Sequence, residues 1–126
     1  DRETPSTELV AQYQEGERSS VIVQPGDFYL IKTIERVNTP EYLTVNIKPR
    51  TTTFRSGLFI RTGNVAPGYR GELIFAMKNE GPCVVEMELG ARVVHAQWHL
   101  VEGASNTYRG QWQHGRVTTT TRESQI

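Results

Sequence analysis

From Val21 onward, turn-forming residues interrupt the chain at intervals of about ten positions, and no apolar pattern between them suits a long helix. "SVIVQPGDFYLIKTIERVNTP" holds two apolar runs separated by Pro25-Gly26, a pair that ends one extended segment and starts the next. "EYLTVNIKP" places Leu43, Val45 and Ile47 at alternate positions, the period of a half-buried strand. "SGLFIRTG", "GELIFAMKN", "PCVVEMELG" and "RVVHAQWHLVE" follow, each bounded by Gly, Pro or Asn. Short strands joined by tight turns predict an all-β sandwich or a barrel-like jelly roll.

That pattern divides the chain in three. Residues 1–20 form a polar arm with only a short helical or extended patch at Glu8 to Tyr13, residues 21–104 the β domain, and residues 105–126 a tail. The tail is rich in Gly, Gln and Thr and ends "RVTTTTRESQI", too polar for a core strand. Such a segment is disordered or orders over a ligand or a neighbouring subunit. No internal repeat is visible.

A chain of 126 residues is one domain, with a core of its own. Fourteen basic and fourteen acidic side chains cancel, so no global field recruits nucleic acid or an anionic membrane. A polyanion must therefore be met by a local group of arginines. The single cysteine, Cys83, excludes an internal disulfide framework and fits a reducing cytoplasm. No activating pattern surrounds it, so it reads as a small buried or edge residue. No apolar run approaches the roughly 20 residues that span a bilayer, and no signal peptide is visible. The chain opens on Asp1 rather than Met, which reads as a processed or trimmed piece.

Three stretches carry candidate chemistry. In "KPRTTTFRSGL", Arg50 and Arg55 flank the hydroxyls of Thr51, Thr52 and Thr53 at the end of a strand. Guanidinium forks and hydroxyls suit phosphate oxygens, although the same residues also make an ordinary Thr-rich turn. In "APGYRGEL", Pro67-Gly68 forces a turn and Tyr69 offers a ring to a sugar or base, or the segment is a plain hairpin loop. In "NTYRGQWQHG", Tyr108 and Trp112 offer stacking faces, and Gln111 and Gln113 offer amides to pair with base edges. His95, His99 and His114 are scattered without metal-ligand spacing, so no metal site is expected.

Taken in order, these pieces resemble the dCTP deaminase and trimeric dUTPase superfamily. "VQPGDFYLIKTIERVNTPEYL" is similar to the deaminase stretch with a Pro-Gly turn and a T-x-E-x-V-x-x-P segment. "PRTTTFRSGL" resembles the Arg-Ser-Ser loop with its second arginine, and "APGYRGEL" the Asp-Pro-Gly-aromatic turn. "LGARVVHAQ" is similar to the G-x-R-I-A-Q strand, and "YRGQ" with "HGRVTTTTR" to the deaminase C-terminal segment. The likeness runs from about Val23 to Arg122.

The resemblance implies a distorted jelly roll of the dUTPase-like β-clip type. It also implies a homotrimer with pyrimidine nucleotide sites between subunits, and Mg²⁺ accompanying a triphosphate. By the same resemblance, Arg50, Thr51 and Thr52 match the triphosphate-contacting Arg-Ser-Ser, and Arg55 matches the arginine of the deaminase catalytic pocket. Tyr69 matches the aromatic residue near the sugar, Tyr108 belongs to the matched tail, and Gln111 matches the nucleotide-contacting tail glutamine. A shifted alignment would nominate Gln113. The family's upstream strand with its Asp-Leu-Arg-like segment is not recognisable, so a second chain supplies it or the barrel is built differently.

Two departures bear on activity. Where deaminases carry a glutamate to move protons at the base amine, this chain has Ala76. Where dUTPases carry an aspartate that orients water and meets the sugar 3′-hydroxyl, it has Ala66. Alanine can do neither. The expectation is a nucleotide-binding member of the superfamily that lacks its usual carboxylates. The alternatives are an active dUTP diphosphatase or dCTP deaminase with a displaced catalytic group, and a non-enzymatic structural jelly roll.

Overall fold

The computed structural model describes residues 3–103 and 106–125. The expected boundary between β domain and tail, at 104 and 105, lies outside the described residues, as do the two ends of the chain. Eight strands and one short helix follow in order: β1 (Ser20–Val23), β2 (Phe28–Asn38), β3 (Leu43–Pro49), α1 (Thr51–Arg55), β4 (Leu58–Arg61), β5 (Asn64–Val65), β6 (Arg70–Asn79), β7 (Val85–Glu88) and β8 (Val94–Leu100). A 3-10 turn covers Gln113–Gly115. The all-β expectation holds. No helix among the described residues is long and apolar enough to cross a membrane.

Every strand pairing is antiparallel, within three sheets ordered β1-β7, β2-β6-β4 and β5-β3-β8. The Pro25-Gly26 turn does separate two strands, yet β1 and β2 do not pair with each other. β1 pairs with β7 and β2 with β6, because the apolar alternation that identifies a strand carries no record of its partner. The β2–β6 register shifts between Lys32 and Arg36. There the Leu73 N–H donates to the Thr33 hydroxyl at 2.8 Å, so a side chain satisfies a ladder group that the irregularity displaces.

Alternation sets the core. Val45 and Ile47 of β3 join Leu58, Ile60, Phe75 and Met77 in one buried cluster. Residues between them on β4 and β6 face the other way, leaving Phe59 about half exposed. The patch at Glu8 to Tyr13 has no regular secondary structure, and Leu9 and Val10 are exposed.

Asn79, at the end of β6, is 1% exposed and fully engaged. Its Nδ2 donates to the carbonyls of Val23 (3.0 Å) and Cys83 (2.8 Å), and its Oδ1 accepts from the Gly81 N–H at 3.0 Å. Its backbone N–H donates to Asp27 O and its carbonyl accepts from Gly26 N–H. Cys83 itself is exposed, which removes the buried half of the buried-or-edge expectation, and its carbonyl meets Asn79. Asn79→Ala is expected to cost about 2–4 kcal/mol, since it strands the buried Val23 carbonyl, the part-buried Cys83 carbonyl and the Gly81 N–H. Urea unfolding measures this directly, and a loss below roughly 1 kcal/mol would mean that water replaces the amide readily.

Candidate functional site

The residues singled out by sequence fall into two groups. The first surrounds α1. Arg50 leaves β3 in extended geometry and starts the helix, while Gly57, at φ +95°, ends it. A Cβ on Gly57 would sit 2.9 Å from Gly81 Cα, so only glycine allows both the turn and the approach. The segment is anchored on the connection before β8. Arg50 N–H and Thr53 Oγ1 donate to Val93 O at 3.0 and 3.2 Å, and Arg50 Nη1 donates to Arg92 O at 3.1 Å. Thr53 is buried by this anchoring. Thr51, Thr52 and Arg55 are exposed, and among the described residues no hydrogen bond or ion pair engages their side chains. The group therefore presents a guanidinium and two hydroxyls to solvent from a fixed backbone.

The second group surrounds the turn between β5 and β6. Thr39 braces it by a backbone pair, accepting from Gly68 N–H at 2.8 Å and donating to Tyr69 O at 2.9 Å. The tail lies directly on this turn. Tyr108 N–H donates to Pro67 O at 2.8 Å, Gln113 Nε2 donates to Gly68 O at 3.2 Å, and Arg70 N–H donates to Gln113 Oε1 at 3.0 Å. Gln113 thus holds the turn, and Gln111 is half-buried in the tail. Gly71, at φ +130°, makes the approach possible, since a Cβ there would meet His114 at 2.5 Å.

Tyr69 does not offer its ring to solvent. It is 7% exposed, with its edge against Tyr108 at a centroid distance of 5.2 Å and an interplanar angle of 85°. Its hydroxyl donates to Glu72 O, and burial pushes the phenol above its ordinary pKa. Trp112 carries the Arg116 guanidinium 5.2 Å from its ring centroid. The aromatic faces expected in the tail are thus partly used within the chain itself.

The two groups do not meet. Val65, just ahead of the turn, pairs with Val45, and Arg50 lies beyond the far end of the same strand. The strand rise puts roughly 17 Å between those two positions, more than one arginine spans. Ala66 is half-buried in the turn. Ala76 lies on the outward side of β6, directly between Leu30 of β2 and Arg61 of β4. Glu72 shares that side but sits roughly 13 Å along the strand. Its carboxylate is turned toward Arg36, 3.9 Å away, and over Gly115, where a Cβ would stand 2.7 Å from Oε2. A hydrogen bond from its own backbone N–H lowers its pKa, with Arg36 and Lys32 adding to the effect. Among the described residues no group of three His, Cys, Asp or Glu side chains is close enough to hold a metal ion.

Fold and turn together define an all-β domain whose β5–β6 turn and tail pack as one unit. The sequence profile of dCTP deaminase-like proteins matches residues 1–97, and the chain belongs to that family. It is 34% identical over 103 residues to a dUMP-forming dCTP deaminase of Persephonella marina, covering 80% of this chain and 57% of the relative. It is 34% identical over 94 residues to a dCTP deaminase of Thermococcus kodakarensis, covering 74% and 61%. A probable deoxyuridine 5′-triphosphate nucleotidohydrolase of Methanothermobacter thermautotrophicus is 34% identical over 91 residues, covering 72% and 60%. The chain thus spans about three fifths of the length of these relatives. The profile takes in the arm, where no motif was legible, and stops short of the tail.

A pairing within the tail depends on the ionisation of Glu123. Arg116 donates to both carboxylate oxygens of Glu123, at 2.9 and 2.6 Å, and this lowers the Glu123 pKa. A lowered folded pKa means that the pairing is complete above the ordinary carboxylate value and is lost as pH falls through the lowered one. In a Trp98→Phe variant, Trp112 fluorescence should stay flat from pH 7 to about 5 and change only below the ordinary carboxylate pKa of about 4.3. A transition centred near pH 6 would assign the response to a histidine instead.

Proposed function

We propose that this chain binds a pyrimidine nucleoside triphosphate without carrying out the hydrolysis or deamination named for its relatives. The observation that carries the proposal is the placing of the two alanines. Ala66 occupies the braced turn, and Ala76 lies between Leu30 and Arg61 with no carboxylate on either flank. Loss of a positioned base costs on the order of 10²–10⁴ in rate. The nearest carboxylate on that strand, Glu72, is committed to the tail side.

Binding draws support from the other group. Arg55, Thr51 and Thr52 stand free, and Arg50 uses one guanidinium nitrogen on Arg92 O with donors to spare. In this reading they take the triphosphate, Tyr69 and Tyr108 border the sugar, Gln113 holds the tail over the turn, and Gln111 contacts the nucleotide. Mg²⁺ would be held by phosphate oxygens and water, which requires no cluster of protein carboxylates. It would shield the phosphate charge beside the arginines.

The separation of the two groups favours assembly from more than one copy, with the arginines of one chain facing the turn of the next. A trimer with shared sites fits this best, and a further chain supplying a strand ahead of β1 remains part of the proposal. Arg50→Ala should weaken dUTP binding at least about tenfold by calorimetry, the usual effect of losing one charge-assisted phosphate contact. Unchanged affinity would remove the phosphate assignment.

A further inference from the structure

One edge of the β5-β3-β8 sheet is open. β8 pairs with β3 on one side, and among the described residues no strand pairs with it on the other. Exposed sheet edges are commonly guarded by lysine, proline or a bulge. Residues 93–101, "VVHAQWHLV", carry no Asp, Glu, Lys, Arg or Pro, and the register with β3 runs without a shift. The side of β8 that continues the core face is apolar and uncovered. Trp98, beside buried Val45, is 50% exposed, and Leu100 is 78% exposed.

Hydrogen bonds at the two ends of the ladder fix which backbone groups are free. Arg50 N–H donates to Val93 O and Val101 N–H donates to Tyr42 O, so Val93 and Val101 turn toward β3. In antiparallel pairing alternate residues do so, which assigns His95, Gln97 and His99 to β3 as well. Val94, Ala96, Trp98 and Leu100 aim N–H and C=O outward from the edge. Side chains follow the same alternation. These four lie on the core face, and the other three lie on the polar face with Thr44, Asn46 and Lys48.

We infer that this edge is a docking surface for a second copy of the chain, β8 against β8 in antiparallel register about a twofold axis at Gln97. Only this register uses all four outward-facing residues. Val94 meets the partner's Leu100 and Ala96 meets the partner's Trp98 as hydrogen-bonded pairs, so a small side chain lies beside a large one at each step of the apolar face. On the polar face His95 meets the partner's His99. Gln97 meets its own copy, and each amide donates to and accepts from the other. The result is one six-stranded sheet, β5-β3-β8-β8-β3-β5. Fourteen acidic and fourteen basic side chains leave no net charge to hold two copies apart. An edge pairing of this length buries less than the roughly 1,200 Å² of standard interfaces, so the association is weak, with Kd on the order of 10–100 µM. The contact is separate from the shared sites proposed above and does not depend on nucleotide.

Sedimentation equilibrium of the full chain at pH 8, without nucleotide, tests this. The expected result is a weight-average mass that doubles as concentration rises from about 1 to about 500 µM. Gln97→Glu and Gln97→Lys each set like charges against each other at the twofold axis. Each alone should move the doubling to a concentration at least about tenfold higher. An equimolar mixture of the two variants should regain it, because opposite charges then meet across the axis. Gln97 is exposed, and recovery in the mixture shows that both variants fold. A mass that does not change with concentration overturns the inference and leaves the edge to a strand of another protein. Doubling that persists unchanged in each variant alone overturns it, and so does a mixture that fails to recover.

Discussion

The fold depends on one buried amide. Asn79 ties the end of β1, the turn into β2, the end of β6 and the connection to β7 into a single knot, using both its side chain and its backbone. Gly57 and Gly81 press against each other beside its Oδ1, so the start of β4 is fixed by the same contact. A buried amide costs much when unpaired and little when each of its groups is satisfied, which makes it a strict specifier of geometry. Here it sets where α1 stands relative to β6, and so where the arginines stand relative to the two alanines.

At the other end of β6 the constraint is conformational. Gly71 gives the chain a dihedral that other residues rarely adopt and leaves no side chain in the way of His114. The tail then satisfies the exposed groups of the turn through backbone and amide hydrogen bonds. Arg116, bound to Glu123 and set over Trp112, closes the segment on itself. Tail and turn are thus one unit, and any ligand at Tyr69 must deal with Tyr108.

Much of the fold was legible in the sequence because alternation is a local signal. Val45 and Ile47 announce a strand with one buried face, and Pro25-Gly26 and Pro67-Gly68 announce turns. Partners are not local, and nothing in "SVIV" says that it pairs with "VEME" rather than with the strand that follows it. The importance of Asn79 was equally hidden, since an Asn before Glu-Gly-Pro reads as a turn residue until its burial is known. The composition of "PRTTTFR" and "APGYRG" singled out two segments that the fold holds apart. Their separation, the place of Gln113 against the turn, and the company of Ala76 came only with register.

In the proposed function, this member of the dCTP deaminase-like family binds nucleotide and lacks the groups that would transform it. Equilibrium dialysis against dUTP and against dCTP with Mg²⁺, followed by chromatography of the retained nucleotide, tests that claim most directly. The predicted result is nucleotide retained by the protein and recovered intact, with no dUMP or pyrophosphate from dUTP and no ammonia from dCTP above a protein-free control. Sustained conversion of either nucleotide would contradict it and would place a catalytic carboxylate where Ala66 and Ala76 offer none.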